Sequence, residues 1–299
     1  MGDSTAPTPA PPATPTFGAR LGAAMTAYGP LCVGIDPHGS LLDAWGLPRT
    51  LDGLREFADR CVAAFTGVVA AVKPQSAFFE VFGSAGIAVL EETTAALREA
   101  STLTILDVKR GDIGTTMEAY AQAFLADGSP GVVDAITVSP YLGYGSLRPV
   151  LDLAARTGRG AFVLCLTSNP EGAAVQHAVL GRSTVAAGIA DGAAHDNAAA
   201  RQRGELGSVG LVVGATVGSA VQDLGLDLAA VNGPLLAPGV GAQGGTAADL
   251  RRVFAGALDA VLPSSSREVL AAGPDVAALR DAAARHADRL ARMLERAGG

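Results

Sequence analysis

The chain has 299 residues, of which 49% are hydrophobic, and its formal net charge is -7 at pH 7. This length and composition can bury a large core, as one big domain or two small ones. The net negative charge and the lack of a basic stripe argue against a nucleic-acid-binding protein. No apolar run reaches the roughly eighteen residues that a membrane span needs. We therefore expect a small-molecule partner.

The first sixteen residues, MGDSTAPTPAPPATPT, are rich in Pro, Thr and Ala and have almost no bulky apolar side chains. Such a composition cannot bury enough apolar surface to fold, so we expect a disordered leader over 1–16. The leader lacks the basic start and apolar segment of a secretory signal peptide. Cys32, Cys61 and Cys165 lie in apolar surroundings without metal-ligand spacing, which predicts buried free thiols. Together these features predict a cytoplasmic protein.

Residues 17–299 alternate between β-like runs and helical stretches. After a helix predicted at 17–28, eight apolar runs are predicted as strands: 31–36, 68–74, 103–109, 135–140, 161–167, 210–216, 235–241 and 260–266. Ala-rich stretches with helical spacing separate them, among them 52–67, 84–100, 115–127, 172–203 and 246–258, and a last amphipathic helix is expected at about 275–296.

Continuous apolar strands that alternate with helices are typical of a parallel sheet covered by helices. Eight such units in one chain predict an α/β fold, a single closed (β/α)8 TIM barrel domain over 17–299 with a C-terminal helix. A doubly wound open sheet is the alternative that the same pattern leaves open.

The basic residues are almost all arginine. Of the 22 Lys and Arg residues, only Lys73 and Lys109 are lysine, and both lie at predicted strand ends. Coding bias accounts for most of this skew. Arginine, however, is effectively always protonated, whereas lysine can hand over a proton. The two lysines are therefore candidates for chemistry that arginine cannot perform.

Polar side chains gather at the predicted carboxyl ends of the strands, where (β/α)8 barrels have their active sites. They are Asp36, Lys73, Asp107, Lys109, Ser139, Thr167 and Ser265. Asp107 and Lys109 are two positions apart, so the pleat of a strand would point both into the barrel. Asp112 lies past the strand, where its direction is not set by the pleat, and a different site remains open for it. Any one of these residues alone is typical of an ordinary loop, but an alternating row of acids and lysines predicts a functional array.

A phosphate site is predicted after the last two strands. PGVGAQGGT follows the seventh strand, and SSSRE ends the eighth and opens a helix, which is where barrels commonly bind phosphate. Arg267 can add a forked, charge-assisted contact. GVGAQG also matches the dinucleotide pattern G-x-G-x-x-G, but that pattern belongs in the first strand-helix turn rather than at Gly239, so NAD is not expected.

DVKRGDI matches the D-x-K-x-x-D signature at Asp107, Lys109 and Asp112, and on these residues the chain resembles the orotidine 5'-monophosphate decarboxylase family. GIDP, VKPQSAFFE, TVSPYLG, PGVGAQGG and SSSRE on the first, second, fourth, seventh and eighth strands resemble its longer bacterial subgroup, over about 30–270. The resemblance implies decarboxylation of orotidine 5'-monophosphate to UMP in de novo pyrimidine biosynthesis, with no metal or organic cofactor.

The resemblance also implies roles for individual residues. Asp107 would lie against the substrate carboxylate, Lys109 would deliver a proton to C6, and Asp112 would join the site of the neighbouring subunit of a homodimer. Lys73 would link the charge network and bind a ribose hydroxyl. Thr116 would accompany Asp112 across that subunit interface to the ribose. The remaining implied contacts are Asp36 to the ribose, Ser139 to the pyrimidine, and Gln243, Ser266 and Arg267 to the phosphate.

Two other functions remain open at this point. A keto-sugar-phosphate decarboxylase of the same barrel type would use a divalent metal near the acids of the first and third strands. A noncatalytic barrel that binds a phosphorylated ligand would keep the pocket, but it would have no need of Lys109 as a proton donor. His38, His177, His195 and His286 have no metal-site spacing and are interpreted as surface or helix residues.

Overall fold

The computed structural model describes residues 15–240 and 244–298. Eight parallel strands form one sheet, and we number them in chain order: β1 Cys32–Ile35, β2 Ala71–Pro74, β3 Ile105–Arg110, β4 Ala135–Val138, β5 Gly160–Leu166, β6 Val209–Val213, β7 Leu235–Pro238 and β8 Val261–Ser265. Their order is β2-β1-β8-β7-β6-β5-β4-β3. Parallel bridges from Val72 to Thr104 and from Gln75 to Asp107 join the two ends of the sheet. The barrel is therefore nearly closed, as predicted, and the doubly wound alternative is wrong.

Helices surround the sheet and follow the strands in alternation. The α-helices are Phe17–Tyr28, Gly39–Ala44, Leu51–Phe65, Ser76–Glu80, Gly83–Glu99, Gly114–Leu125, Arg148–Thr157, Ala173–Gln176, Val185–Asp196, Ala198–Gln202, Ala220–Asp223, Leu228–Val231, Ala247–Phe254, Arg267–Leu270 and Val276–Gly298. Short 3-10 helices span Tyr144–Leu147, Pro170–Gly172 and Leu258–Ala260. Because the strands are buried between these helices and the barrel interior, they read as continuous apolar runs. No helix of the described chain has the length and apolar character needed to cross a membrane.

The first helix plugs the amino-terminal end of the barrel. Phe17 and Leu21 belong to the apolar cluster inside the barrel, and the Phe17 ring meets Phe162 edge to face at 5.9 Å. Gly160 permits this approach, because a Cβ atom there would lie 2.3 Å from the Phe17 ring. The Thr16 hydroxyl caps the helix by accepting from the Ala19 N–H. With that end filled, only the carboxyl end of the barrel is left to form a site.

The predicted helix over 172–203 is wrong as one element. A two-stranded antiparallel hairpin, Val179–Leu180 with Ser183–Thr184, interrupts it. Gly181 has a φ of 66° in the tight turn, a conformation that glycine adopts without strain. The alanine-rich spacing hid this turn. The last helix, expected at about 275–296, runs over Val276–Gly298. Most of the predicted leader lies outside the described residues, so its disorder stays a prediction.

Candidate active site

A cavity of about 390 Å³ opens at the carboxyl ends of the strands. Among its lining residues are predicted site residues from the first, second, third and eighth strands: Asp36, Lys73, Asp107, Lys109, Ser265, Ser266 and Arg267, with Thr167 from the fifth. The barrel thus brings together side chains that are up to 231 positions apart in the sequence. This shared mouth is the geometric basis for treating them as one site.

Asp107 is the centre of a charge network in this cavity. Its Oδ2 atom accepts from the Lys73 ammonium at 2.9 Å, and its Oδ1 atom accepts from the Lys109 ammonium at 2.6 Å. The Thr137 hydroxyl donates to the same Oδ1 at 2.8 Å. The side chains of Lys73 and Asp107 are each 9% exposed, whereas that of Lys109 is 46% exposed. Lys109 is therefore the member of the network that faces the open cavity.

The local backbone at Lys109 departs from the simple pleat. Lys109 has a φ of 45°, and the register between β3 and β4 shifts between Leu106 and Arg110. A non-glycine residue in this left-handed region costs on the order of 1 kcal/mol. The Lys109 N–H donates to the Thr137 hydroxyl at 2.9 Å, which holds the irregular turn. The side chains of Asp107 and Lys109 therefore do meet, as predicted. They meet because of this strand irregularity, whereas the prediction rested on the regular alternation of side chains along a strand.

Electrostatics keep the network charged. Burial would raise the pKa of Asp107, but the positive charges of Lys73 and Lys109 outweigh it and lower the pKa to about 2. Burial would lower the pKa of Lys73, but the charges of Asp107 and Asp36 outweigh it and raise that pKa. At neutral pH the cavity therefore holds an ionised carboxylate between a buried cation and an accessible one.

Asp36 and Ser266 share one wall of the cavity around Gly34 of β1. A Cβ atom at Gly34 would lie 2.0 Å from the Ser266 hydroxyl and 3.1 Å from Asp36 Oδ1, so only glycine leaves room for both. Among the described residues, the buried Oδ1 atom of Asp36 has no hydrogen-bond partner. A buried acceptor without a donor is costly, so a ligand hydroxyl at this wall would relieve it.

The predicted phosphate residues lie at the β8 side of the mouth. Ser266 ends that strand region, and exposed Arg267 opens the helix Arg267–Leu270. Glu268, the next residue, is engaged by Arg289 and by His286 on the C-terminal helix rather than by Arg267. Arg267 and Ser266 both line the cavity. Gln243, the third predicted phosphate residue, lies outside the described residues.

Three predicted residues do not line this cavity: Asp112, Thr116 and Ser139. Asp112 lies in the loop after β3, where its carboxylate accepts from the Ile113 N–H at 2.8 Å. Thr116 is exposed in the first turn of the helix Gly114–Leu125. Ser139 follows β4, and its N–H donates to the Arg110 carbonyl at 2.8 Å. The expectation that Asp112 and Thr116 serve the site of a neighbouring subunit therefore stays a prediction.

Sequence reasoning missed Thr137, Ser168, Asn169 and Gly214, all of which line the cavity. Thr137 had a usable signal, since it is the one polar residue inside the apolar strand AITV. Ser168 and Asn169 follow β5, and Gly214 follows β6, the two strands for which the resemblance offered no strong match. Loop residues of this kind become recognisable only when the barrel brings them to the mouth.

The sequence model of the orotidine 5'-phosphate decarboxylase / HUMPS family matches residues 29–282. The chain belongs to this family. An orotidine 5'-phosphate decarboxylase of Salinispora arenicola is 63% identical over 271 residues, which cover 90% of this chain and 95% of the relative. The enzyme of the same name from Streptomyces coelicolor is 58% identical over 276 residues, which cover 91% of this chain and 95% of the relative.

Solved structures agree with these relatives. A Streptomyces avermitilis structure described as a candidate orotidine 5'-phosphate decarboxylase has a TM-score of 0.87 and 55% identity, and the match covers 95% of this chain and 96% of that one. The orotidine monophosphate decarboxylase of Leishmania donovani has a TM-score of 0.71 and 29% identity, with 94% and 99% covered. The predicted family, the predicted barrel and the predicted decarboxylase class are therefore confirmed.

Proposed function

We propose that this chain decarboxylates orotidine 5'-monophosphate to UMP, a step of de novo pyrimidine biosynthesis, in the cytoplasm. The names of its family and of its relatives support the substrate. The observation that carries the proposal is the row Lys73–Asp107–Lys109, because it joins an ionised acid to an accessible lysine in a cavity. No other part of the described chain combines these features with a free arginine and a strand-end serine at the same mouth.

The reaction needs a site that tolerates a carbanion. When the bond from C6 to the carboxyl group breaks, CO2 leaves and the electron pair stays on C6, where the ring delocalises it poorly. The Lys109 ammonium, which donates to Asp107, stabilises that developing charge more than it stabilises the substrate. It then donates its proton to C6 to form UMP and recovers a proton from water. Asp107 is assigned to the substrate carboxylate, whose neighbouring negative charge it would disfavour.

Binding of the rest of the nucleotide uses the other walls of the cavity. Asp36, with its buried unpartnered Oδ1, is assigned to a ribose hydroxyl, and Lys73 is assigned to the ribose and to the network. Ser266 and Arg267 are assigned to the phosphate, together with Gln243. Contacts far from C6 supply binding energy that offsets the cost of bringing two carboxylates close. Ser139 remains the predicted contact to the pyrimidine.

A homodimer with shared active sites is part of the proposal. Asp112 and Thr116 are absent from the cavity lining of their own subunit, and the resemblance assigns both to the neighbouring site. Large apolar side chains in the loops after the neighbouring strands β3 and β4 are exposed, with Ile113 at 61% and Tyr141 at 77%. Exposed large apolar groups next to a functional loop favour a protein partner, and a second copy of the chain would supply the missing acid.

The donor arrangement favours this reaction over a metal-dependent keto-sugar-phosphate decarboxylase. Both carboxylate oxygens of Asp107 already contact ammonium groups, which compete with a metal for the same lone pairs. Within 15–240 and 244–298, no three His, Cys, Asp or Glu side chains are grouped as metal ligands. A noncatalytic ligand-binding barrel is disfavoured because it would have no need of Lys109 beside Asp107.

The decisive experiment is a spectrophotometric assay of orotidine 5'-monophosphate with EDTA present. Purified protein should convert the substrate to UMP at an undiminished rate in the chelator, while a Lys109→Ala preparation made in parallel controls for contaminating host enzyme. Loss of activity in EDTA that returns with a divalent metal would support the metal-dependent alternative. Tight UMP binding with no turnover would support the noncatalytic one.

Subunit mixing tests the shared site. Lys109→Ala and Asp112→Ala homodimers should each be nearly inactive. If Asp112 acts in the site of the neighbouring subunit, a heterodimer has one site with both lesions and one site with neither. Random reassortment makes half of the dimers heterodimers, so about one quarter of all sites should recover under two-fold symmetry. If Asp112 acts in its own subunit, every heterodimer site carries one lesion, and refolding the two variants together would restore nothing.

A further inference from the structure

The short helix that carries Arg267 is fixed from its outer side. Arg267–Leu270 has only four residues, too few to be stable without tertiary contacts. At its carboxyl end, the Trp45 indole N–H donates to the Leu270 carbonyl at 3.0 Å. At its amino end, Glu268 contacts the C-terminal helix Val276–Gly298. The two ends of the arginine-bearing turn therefore have different anchors, a hydrogen bond from Trp45 at one end and an ionic contact of Glu268 at the other.

The ionic anchor is a cluster of three side chains. The Arg289 guanidinium contacts the Glu268 carboxylate and lies 2.8 Å from His286 Nδ1, and this Nδ1 atom lies 3.0 Å from Glu268 Oε2. His286 is 6% exposed by side chain, so the cluster rests on a buried ring. Burial lowers the pKa of His286 and the charge of Arg289 lowers it further, against the opposing effect of Glu268. In its neutral Nδ1–H tautomer the imidazole donates to Glu268 Oε2, the same oxygen that the Arg289 guanidinium contacts.

The three residues also differ in how they relate to the family. Glu268 lies inside the segment that the family model matches, whereas His286 and Arg289 lie beyond its end at residue 282. None of the three lines the active-site cavity. Glu268 is adjacent in sequence to Arg267, and successive helical residues point about 100° apart. A rotation of the short helix that displaces Glu268 must therefore displace Arg267 as well.

We propose that Glu268, held by Arg289 and His286 of the C-terminal helix, is a positioning residue that orients Arg267 toward the phosphate of the substrate. The inference rests on the proposed function, which supplies the phosphate. Forked contacts from arginine depend on orientation as well as on charge, because two N–H groups must align with two oxygens. The anchor keeps the guanidinium aligned before the substrate arrives, so its loss should weaken phosphate recognition and leave the Asp107 network intact.

The test is a double-mutant cycle on kcat/KM for orotidine 5'-monophosphate. Glu268→Gln keeps the shape of the side chain and removes its charge, and it should lower kcat/KM about tenfold, mostly through KM. In an Arg267→Ala background the same change should have no further effect, because the residue that it positions is gone. Arg289→Ala should resemble Glu268→Gln, and Arg289→Lys should recover part of the loss. Glu92→Gln, which breaks the exposed ion pair with Arg55 far from the mouth, is the control and should match wild type.

Binding of UMP and uridine to the same variants separates this inference from the proposed function. Glu268→Gln should weaken UMP about tenfold and leave uridine unchanged, whether or not the wild type turns over substrate. An equal loss for UMP and uridine, a loss that adds fully to that of Arg267→Ala, or no loss at all would overturn the positioning role. If Glu268→Gln does not fold, UMP and uridine binding are measured on Arg289→Ala instead, because the Arg289 side chain is half exposed and its loss should be tolerated.

Discussion

Replacing Asp107 with Asn should destabilise the folded protein and abolish turnover, and the loss of stability can be worked out from the charge network. The substitution removes a carboxylate that contacts the ammonium groups of Lys73 and Lys109 at 2.9 and 2.6 Å. Lys109 is half exposed and can be solvated by water. Lys73, 9% exposed, remains buried and loses its main partner.

The magnitude follows from the pKa of Asp107. Burial would raise this pKa, but the two lysines lower it from 3.8 to about 2. The difference between these values, at about 1.36 kcal/mol per pH unit, is about 2 kcal/mol of stability from ionised Asp107. Because the folded pKa is below the unfolded one, this stability is complete above about pH 4 and is lost as the pH falls toward 2. The stranded charge of Lys73 brings the expected cost of Asp107→Asn at pH 7 to about 3 kcal/mol.

Urea denaturation at pH 7 measures this cost, with the single tryptophan, Trp45, as a buried fluorescent probe. The double variant Asp107→Asn with Lys73→Met should recover at least half of the loss, because it no longer buries an unpaired ammonium. Asp281→Asn, an exposed change on the C-terminal helix, is the control and should stay within about 0.5 kcal/mol of wild type. Wild-type stability in Asp107→Asn, or a double variant less stable than the single one, would refute the reasoning.

Three further substitutions probe the site. Lys109→Arg should preserve charge and fold but lose nearly all turnover, because arginine cannot release the proton; comparable turnover together with native-like circular dichroism would rule out the proton-donor role. Arg267→Ala should lower kcat/KM by an amount that corresponds to about 2 to 3 kcal/mol of lost transition-state stabilisation. Equal kcat/KM values for variant and wild type would show that the phosphate does not bind at the carboxyl end of β8. Gly34→Ala puts a Cβ atom 2.0 Å from the Ser266 hydroxyl, so KM should rise and stability should fall by about 1 to 3 kcal/mol; unchanged KM would mean that Ser266 does not serve the substrate.

The sequence predicted the barrel well because the relevant signals are local. A strand buried on both faces must be apolar along its length, so each of the eight strands could be found from a few adjacent residues. The two lysines were equally visible, because a rare residue type in an arginine-rich chain needs no structure to be noticed. The hairpin at Val179–Leu180 and Ser183–Thr184 was missed because alanine-rich helical spacing on both sides concealed a turn set by Gly181.

Within the site, the sequence by itself determined which residue types stand at the strand ends, and so predicted Asp36, Lys73, Asp107 and Lys109 as candidates. Only the tertiary structure decided how they meet. The contact of Lys109 with Asp107 depends on a positive φ and on Thr137 of the next strand, and the anchor of Arg267 depends on a helix near the end of the chain. Composition and periodicity are properties of neighbours along the chain, whereas register, cavity shape and the pairing of distant charges arise when the barrel closes and its strands are brought side by side.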